Sequence, residues 1–333
     1  MQAVIVSEPG GPEQMTIDDV PTPTPGPDEV QVHVHATALN RADTFQRRGH
    51  YPPPEGASDI LGLEMAGTVA ETGDAVVDWH EGDRVFALLD GGGYAEYTVV
   101  HKDRLMAVPP GMSMQEAAAV PEVFLTAYQA LHWLGGLQSG HRVLIHAGAS
   151  GVGTAAIQLT RHAGGHPYIT ASAPKHDRCR LLGAEATIDY ETEDFAARIA
   201  EETDGAGVNI LLDFIGAPYF HKNVESLALD GRIIQLATLG GSTVEAVSLR
   251  DLMAKRAQLL ATTLRSRSLA YKVQLTQEFA ADILPAFVDG ALRPVIDSTY
   301  DWTEVGAAHQ RMENNENAGK IVLRVGAAAE EAQ

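Results

Sequence analysis

Val143-Leu144-Ile145-His146-Ala147-Gly148-Ala149-Ser150-Gly151-Val152-Gly153-Thr154-Ala155-Ala156-Ile157-Gln158-Leu159 is the stretch that decides the fold. An apolar run enters a glycine-rich turn, and an amphipathic segment leaves it. That context turns a common glycine pattern into a dinucleotide-binding signature. It departs from G-x-G-x-x-G at one position, where Ser150 stands in for the middle glycine. Gly148 is expected to permit the tight turn, and Gly153 to let helix and strand pack closely. The backbone N–H groups of Ser150, Gly151 and Val152 then face a pyrophosphate, aided by the helix dipole.

Downstream, strand and helix patterns alternate. Strands are expected at 142–147, 167–171, 186–189, 208–214 and 232–237, and helices at 154–163, 177–182, 192–202 and 220–227. This spacing predicts a parallel sheet covered on both faces. Upstream the pattern is different. Met1 to Ser7 reads as a strand, and Pro21 to Pro27 as an extended connector, because each proline fixes φ and disfavours helix before it. Glu29 to Ala36 alternates strictly, with Val30, Val32 and Val34 on one side and Gln31, His33 and His35 on the other. Further strands are expected at 65–71 and 94–100, then one helix over 114–133. A last strand at 321–325 would rejoin the first part. The fold class is therefore α/β, with a doubly wound parallel sheet inserted into a β-rich domain.

The second strand of the nucleotide unit sorts the cofactors. An NAD site places Asp or Glu at its end for the ribose 2′-hydroxyl. Here the strand end carries Ser172, followed by Lys175 and Arg178. A hydroxyl and cations suit a 2′-phosphate, which a carboxylate would repel. The expected cofactor is NADPH.

Composition narrows the rest. The 333 residues carry 24 Lys and Arg against 44 Asp and Glu, a formal net charge of −20. Such a polyanion repels phosphate backbones and anionic membranes, so neither nucleic acid nor membrane is the expected partner. The single cysteine, Cys179, excludes an intrachain disulfide and any multi-cysteine metal site. The N-terminus has no signal-peptide pattern, and no apolar run is long enough to span a bilayer. These features read as a soluble, cytoplasmic protein whose small acidic tail, GAAAEEAQ, is frayed. His33 and His35 share a strand face but lack an evident third ligand, so no metal site is expected.

Several longer strings carry a family resemblance. They are ALNRADTFQRRGHYPPP (38–54), ILGLE (60–64), GGGYAEY (91–97), PEVFLTAYQAL (121–131), HAGASGVGTAAIQLTR (146–161) and ENAGKIVL (316–323). In order and spacing, nearly end to end, the chain resembles the medium-chain dehydrogenase/reductase superfamily. Within it the chain is most similar to the zinc-free quinone oxidoreductases, in particular the p53-inducible NADPH quinone oxidoreductase subgroup. Zinc-dependent members have a catalytic cysteine where Asn40 stands and a histidine where Leu63 stands, and neither residue here can hold zinc.

The resemblance implies a GroES-like catalytic domain over residues 1–120 plus 286–333, and a Rossmann NADPH-binding domain over 121–285. It implies an active-site cleft between them, near Asn40, Asp43 and Tyr51. Asn40 would hydrogen-bond a quinone carbonyl or the nicotinamide ribose. Tyr51 would bind a cofactor phosphate or help protonate the product, and Asp43 would support them from behind. Related bacterial members carry a second tyrosine where this chain has Phe45, which weakens any scheme that needs two phenols. Cofactor contacts carried over by position are Thr126 at the nicotinamide end, and Ser172, Lys175 and Tyr190 around the 2′-phosphate. Leu236, Ala237 and Thr238 would contact the nicotinamide, while Leu264, Arg265, Ser266 and Asn317 would close the pocket. A strand near 260–270 pairs across a two-fold axis in relatives, which implies a homodimer.

The chemistry that fits is metal-free hydride transfer from NADPH to a quinone, ortho-quinones included, because a quinone stabilises its own negative charge. An enone or enoyl-thioester reductase is the alternative within the same superfamily. A non-catalytic NADPH-binding regulatory protein is the alternative from another class.

Overall fold

The computed structural model describes residues 1–326; the acidic stretch at 327–333, part of the tail expected to fray, lies outside the described residues. The chain forms two compact units, Met1–Leu125 with the segment from Arg265 onward, and Thr126–Leu264. The division falls after Leu125 and Leu264, so residues 265–285 go with the first unit.

In the first unit the alternating strand is Glu29–Ala38. Val30 and Val32 are fully buried and Val34 nearly so, whereas His33 is exposed. This strand pairs antiparallel with Glu64–Thr72, with Tyr97–His101 and with Lys320–Arg324. Arg84–Leu88, Met106–Ala107 and Ile296–Asp301 complete a seven-stranded sheet. The late strand thus rejoins the N-terminal part, with Val322 opposite Ala38. Gln2–Val6 and Met15–Asp19 form a separate antiparallel pair.

The second unit holds six parallel strands. Their spatial order is Ala186–Asp189, His166–Ala171, Arg142–Ile145, Val208–Asp213, Leu227–Gln235, Gln258–Ala261. Numbered along this unit, the order is 3-2-1-4-5-6, the Rossmann arrangement. It reverses direction between Arg142–Ile145 and Val208–Asp213, and ligands of such sheets bind beyond the carboxyl ends of the strands at that reversal.

Several expected elements differ in their bounds, three of them for a visible reason. The helix over 114–133 is broken. Met114–Ala118 ends before Pro121, which starts Pro121–Tyr128 and lacks the N–H a continuous helix would need. A wider, π-type turn follows over Gln129–Leu134. The strand expected from Tyr94 begins at Tyr97, because the Tyr94 N–H turns away to Leu61 O. The helix expected from Thr192 begins at Phe195, since Asp194 caps it by accepting the Ala196 N–H at 3.0 Å.

Candidate functional site

Two candidate sites emerge, one in each unit. In the second unit, Arg142–Ile145 leads through His146 into the glycine turn. The residue in the left-handed region there is Ala147, at φ 48°, not Gly148. Gly148 is required for a different reason: a Cβ on it would lie 2.5 Å from the Ile169 side chain. At Gly153 a Cβ would lie 2.5 Å from Ala147 O, so the close approach expected of this glycine is present. Ser150 has its own task as N-cap of Gly151–His162, accepting the Gly153 N–H at 3.1 Å. The other amides of the first turn have no partner within the helix, and the serine hydroxyl retains its proton for an outside acceptor. This cradle suits the pyrophosphate of a dinucleotide.

Ser172 and Lys175 lie together on the tight turn after His166–Ala171. Ala171 pairs with Asp189, so Tyr190 leaves the neighbouring strand at the same end of the sheet. Tyr190 is half-exposed, and burial with Glu191 and Asp189 raises its phenol pKa. Leu236, Ala237 and Thr238 leave Leu227–Gln235, with the Leu236 N–H on Asp213 O at 2.8 Å. Thr126 sits on Pro121–Tyr128, and Leu264 is buried at the end of the unit. Cys179 is buried, and burial lifts its thiol to about 11.

Sequence reasoning missed a buried polar chain beneath this candidate site. His146 Nδ1 lies 3.0 Å from Thr170 Oγ1, and Nε2 lies 2.8 Å from Asn223 Oδ1. Asn223 donates its Nδ2 proton to Asp213 Oδ2 at 2.9 Å. Asn223 therefore accepts from His146, which fixes the Nε2–H tautomer and makes Thr170 the donor to Nδ1. Asp213 Oδ1 also accepts the Ile215 and Gly216 N–H groups. Three strand ends are thus tied at the reversal point. The one signal in the sequence is a histidine at the end of an otherwise apolar strand.

In the first unit, Asn40 caps Arg41–Arg47. Its Nδ2 donates to Glu64 Oε1 at 2.8 Å and to Ala38 O at 3.3 Å. Its Oδ1 accepts from Lys320 Nζ at 2.7 Å. Lys320 also reaches Glu64 Oε1 at 2.7 Å and Leu39 O at 2.6 Å, so all three of its protons are engaged. Glu64 and Lys320 are both buried. Asn40 has no donor to spare and one oxygen lone pair left, which suits a ribose hydroxyl or a carboxamide N–H better than a quinone carbonyl. Leu63 is buried. An amide already bound to an ammonium, beside an aliphatic side chain, does not fit a zinc site. Among the described residues, no group of three or more His, Cys, Asp or Glu is placed to hold a metal ion.

Asp43 is fully buried and accepts the N–H groups of Asn40 at 2.7 Å and Gly62 at 3.1 Å. Burial lifts its carboxyl to about 6, against those donors and the Lys320 charge. Tyr51 is half-buried under Arg265, whose Cζ lies 5.4 Å from the ring centroid. Burial raises the Tyr51 phenol pKa, and the Arg265 charge opposes the shift. Ser266 is exposed, and Asn317 donates to Gly319 O at 2.8 Å.

Comparison with known proteins bears on this arrangement. Residues 26–110 match the family described as alcohol dehydrogenase GroES-like domain, and residues 182–323 match the one described as zinc-binding dehydrogenase. The quinone oxidoreductase of Lama guanicoe is 31% identical over 97% of this chain and 97% of its own length. The synaptic vesicle membrane protein VAT-1 homolog of Danio rerio is 32% identical over 86% of this chain, which spans 62% of that protein. The chain matches only 7% of the polyketide synthase component PikAII of Streptomyces venezuelae, at 32% identity over 86% of this chain. Among solved structures, the quinone oxidoreductase of Pseudomonas syringae pv. Tomato DC3000 superposes with TM-score 0.86 at 31% identity, covering 97% of this chain and 99% of that one. A mycobacterial protein complexed with NADPH gives TM-score 0.86 at 31% identity, covering 97% and 100%. The chain belongs to the medium-chain dehydrogenase/reductase superfamily, with a β-rich GroES-like part and a Rossmann-like parallel sheet.

Proposed function

We propose that this protein is an NADPH-dependent quinone reductase working without a metal ion. The observation that carries the reading is the Lys320 ammonium bound between Asn40 and Glu64, where zinc-dependent relatives would need ligands. NADPH supplies a hydride when bound. The Ser150–Gly153 cradle takes its pyrophosphate, and Ser172, Lys175 and Tyr190 take the 2′-phosphate. Leu236, Ala237, Thr238, Thr126 and Leu264 contact its nicotinamide end. Asn40 accepts a hydrogen bond from the cofactor, and Tyr51 protonates the product. The names of the llama and Pseudomonas relatives support the quinone acceptor, and the mycobacterial complex supports NADPH. The long strings quoted above favour the p53-inducible subgroup.

The protein works as a homodimer in the cytoplasm on this reading. The strand Gln258–Ala261 is the outer strand of the parallel sheet, with one edge unpaired. No helix among the described residues is long and apolar enough to cross a membrane.

A second reading, reduction of an enone or enoyl thioester, is favoured by a likeness to the CurK enoyl reductase at TM-score 0.85 and 28% identity, over 98% of this chain and 99% of that one. Following NADPH oxidation with an ortho-quinone, beside NADH and beside an enoyl thioester, separates the two. Quinone turnover preferring NADPH and surviving a chelator supports the first reading. Turnover with the thioester alone replaces it with the second. Tight NADPH binding without turnover of any acceptor points to a regulatory protein.

A further inference from the structure

A hydride acceptor develops negative charge on its carbonyl oxygen, and a donor fixed at that oxygen lowers the barrier. In the first unit most candidate donors are already committed. Both Nδ2 protons of Asn40 and all three Lys320 protons are bound within the protein. Arg265 is different. Its side chain is only 6% exposed. Nε donates to Asp90 O at 2.9 Å, and Nη2 donates to Asp90 O and to Gln46 Oε1, both at 2.7 Å. Nη1 is buried and makes no hydrogen bond to any of the described residues. A buried donor left unpaired costs about 1–3 kcal/mol, more for a charged group.

The guanidinium is held rigidly. Asp90 is itself pinned by Arg104 at 2.9 Å and by Lys272 at 2.6 Å, and Lys272 also donates to Arg265 O at 2.6 Å. The guanidinium carbon lies over the Tyr51 ring. Among the described residues no carboxylate bonds to the guanidinium, since Asp90 meets it through a backbone carbonyl. The outcome is a preorganised cation with one buried, unpartnered N–H edge, beside the phenol that the proposed reaction uses.

We propose that Arg265 Nη1 is the electrophilic donor that receives the acceptor's carbonyl oxygen, so that the favoured substrates are conjugated carbonyl compounds presenting an unhindered oxygen to this edge. The assignment rests on the quinone-reductase reading above. In the step, the acceptor gains a hydride and its C=O π pair moves onto oxygen. Nη1–H hydrogen-bonds to that oxygen, and a proton from the Tyr51 phenol, which water then replaces, neutralises it. The reduced nicotinamide is the species oxidised. Arg265 keeps its proton throughout, as a guanidinium does.

The test compares wild type with Arg265→Lys and Arg265→Ala, reading kcat/KM for an ortho-quinone and, separately, the Kd for NADPH by titration. Loss of one preorganised donor predicts a fall in kcat/KM of about 100-fold or more, with NADPH affinity nearly unchanged. Added guanidinium ion restores part of the activity of Arg265→Ala and none of Arg265→Lys. If Arg265→Ala fails to fold, the charge-conserving lysine variant still decides the matter. A parallel loss of NADPH affinity and rate overturns the assignment and makes Arg265 a cofactor contact. An unchanged kcat/KM overturns it outright while leaving the quinone reading intact. A wild-type protein that binds NADPH but reduces no quinone overturns both.

Discussion

At the scale of single residues, the chain behind Asn40 sets a pH response. Arg47 Nη1 lies 3.0 Å from His309 Nδ1, and an arginine can only donate. His309 Nδ1 is therefore an acceptor and Nε2 carries the proton, facing Tyr94 Oη at 3.2 Å. Burial and then the nearby Asp43 charge raise the Tyr94 phenol pKa well above its usual value. Burial, with Arg47 beside it, drives His309 from 6.5 down to about 3, while burial lifts Asp43 from 3.8 to about 6. A histidine with a lowered folded pKa contributes stability that is present above about pH 6.5 and is lost as the pH falls. An aspartate with a raised folded pKa contributes stability that is present below about pH 4 and is lost as the pH rises through about 6. Between those limits the two slopes oppose each other. Asp43→Asn should expose the histidine slope, so that relative to wild type the variant loses about 1.4 kcal/mol per pH unit as the pH falls from about 6 to about 4. His309→Gln should do the reverse. Urea melts at stepped pH check both, and variant profiles running parallel to wild type would sink the idea.

At the scale of elements, the alternation of Val30, Val32 and Val34 was readable because one strand face is buried. The βα succession was readable because each parallel strand is a short apolar run. What the sequence hid is long-range pairing. Asn40, Glu64 and Lys320 meet from positions 24 and 280 residues apart, and no local pattern marks the lysine as buried. The unpartnered edge of Arg265 is equally invisible, since it depends on Asp90 and Gln46, 175 and 219 residues away. The break at Pro121 was legible in principle, and alanine-rich helix propensity on both sides hid it.

The strand Gln258–Ala261 illustrates an element with a consequence. It pairs on one side only, with Leu227–Gln235, and Leu259 on it is 52% exposed. On the adjoining helix Leu249–Lys255, Met253 is 76% exposed. An open, apolar strand edge favours pairing with a second copy, and a charge on it opposes pairing. The proposed dimer predicts that Leu259→Lys halves the mass read by light scattering while leaving NADPH affinity unchanged. A wild-type protein that runs as a monomer across the accessible concentration range would refute the dimer.

For the whole molecule, the decisive feature is a cationic turn in a strongly anionic chain. The net charge of −20 repels a multiply charged cofactor at long range, so on the proposed reading binding depends on short contacts at the cradle and at Lys175. NADH offers the cradle the same pyrophosphate but brings no 2′-phosphate to Lys175. Ligand that binds only the folded state stabilises it by about 2.7 kcal/mol when present at about 100 times Kd. NADPH should therefore raise the melting temperature more than NADH does at equal concentration. A charge-assisted hydrogen bond contributes about 1.5–3 kcal/mol, so Lys175→Ala should weaken NADPH binding by roughly ten- to a hundredfold and erase most of the difference between the two cofactors. Melting curves of both proteins with each cofactor read this directly, without any acceptor. Equal shifts with NADPH and NADH in the wild type would mean that Ser172 and Lys175 do not read the phosphate, because a site blind to the 2′ position must bind both cofactors through the shared pyrophosphate alone.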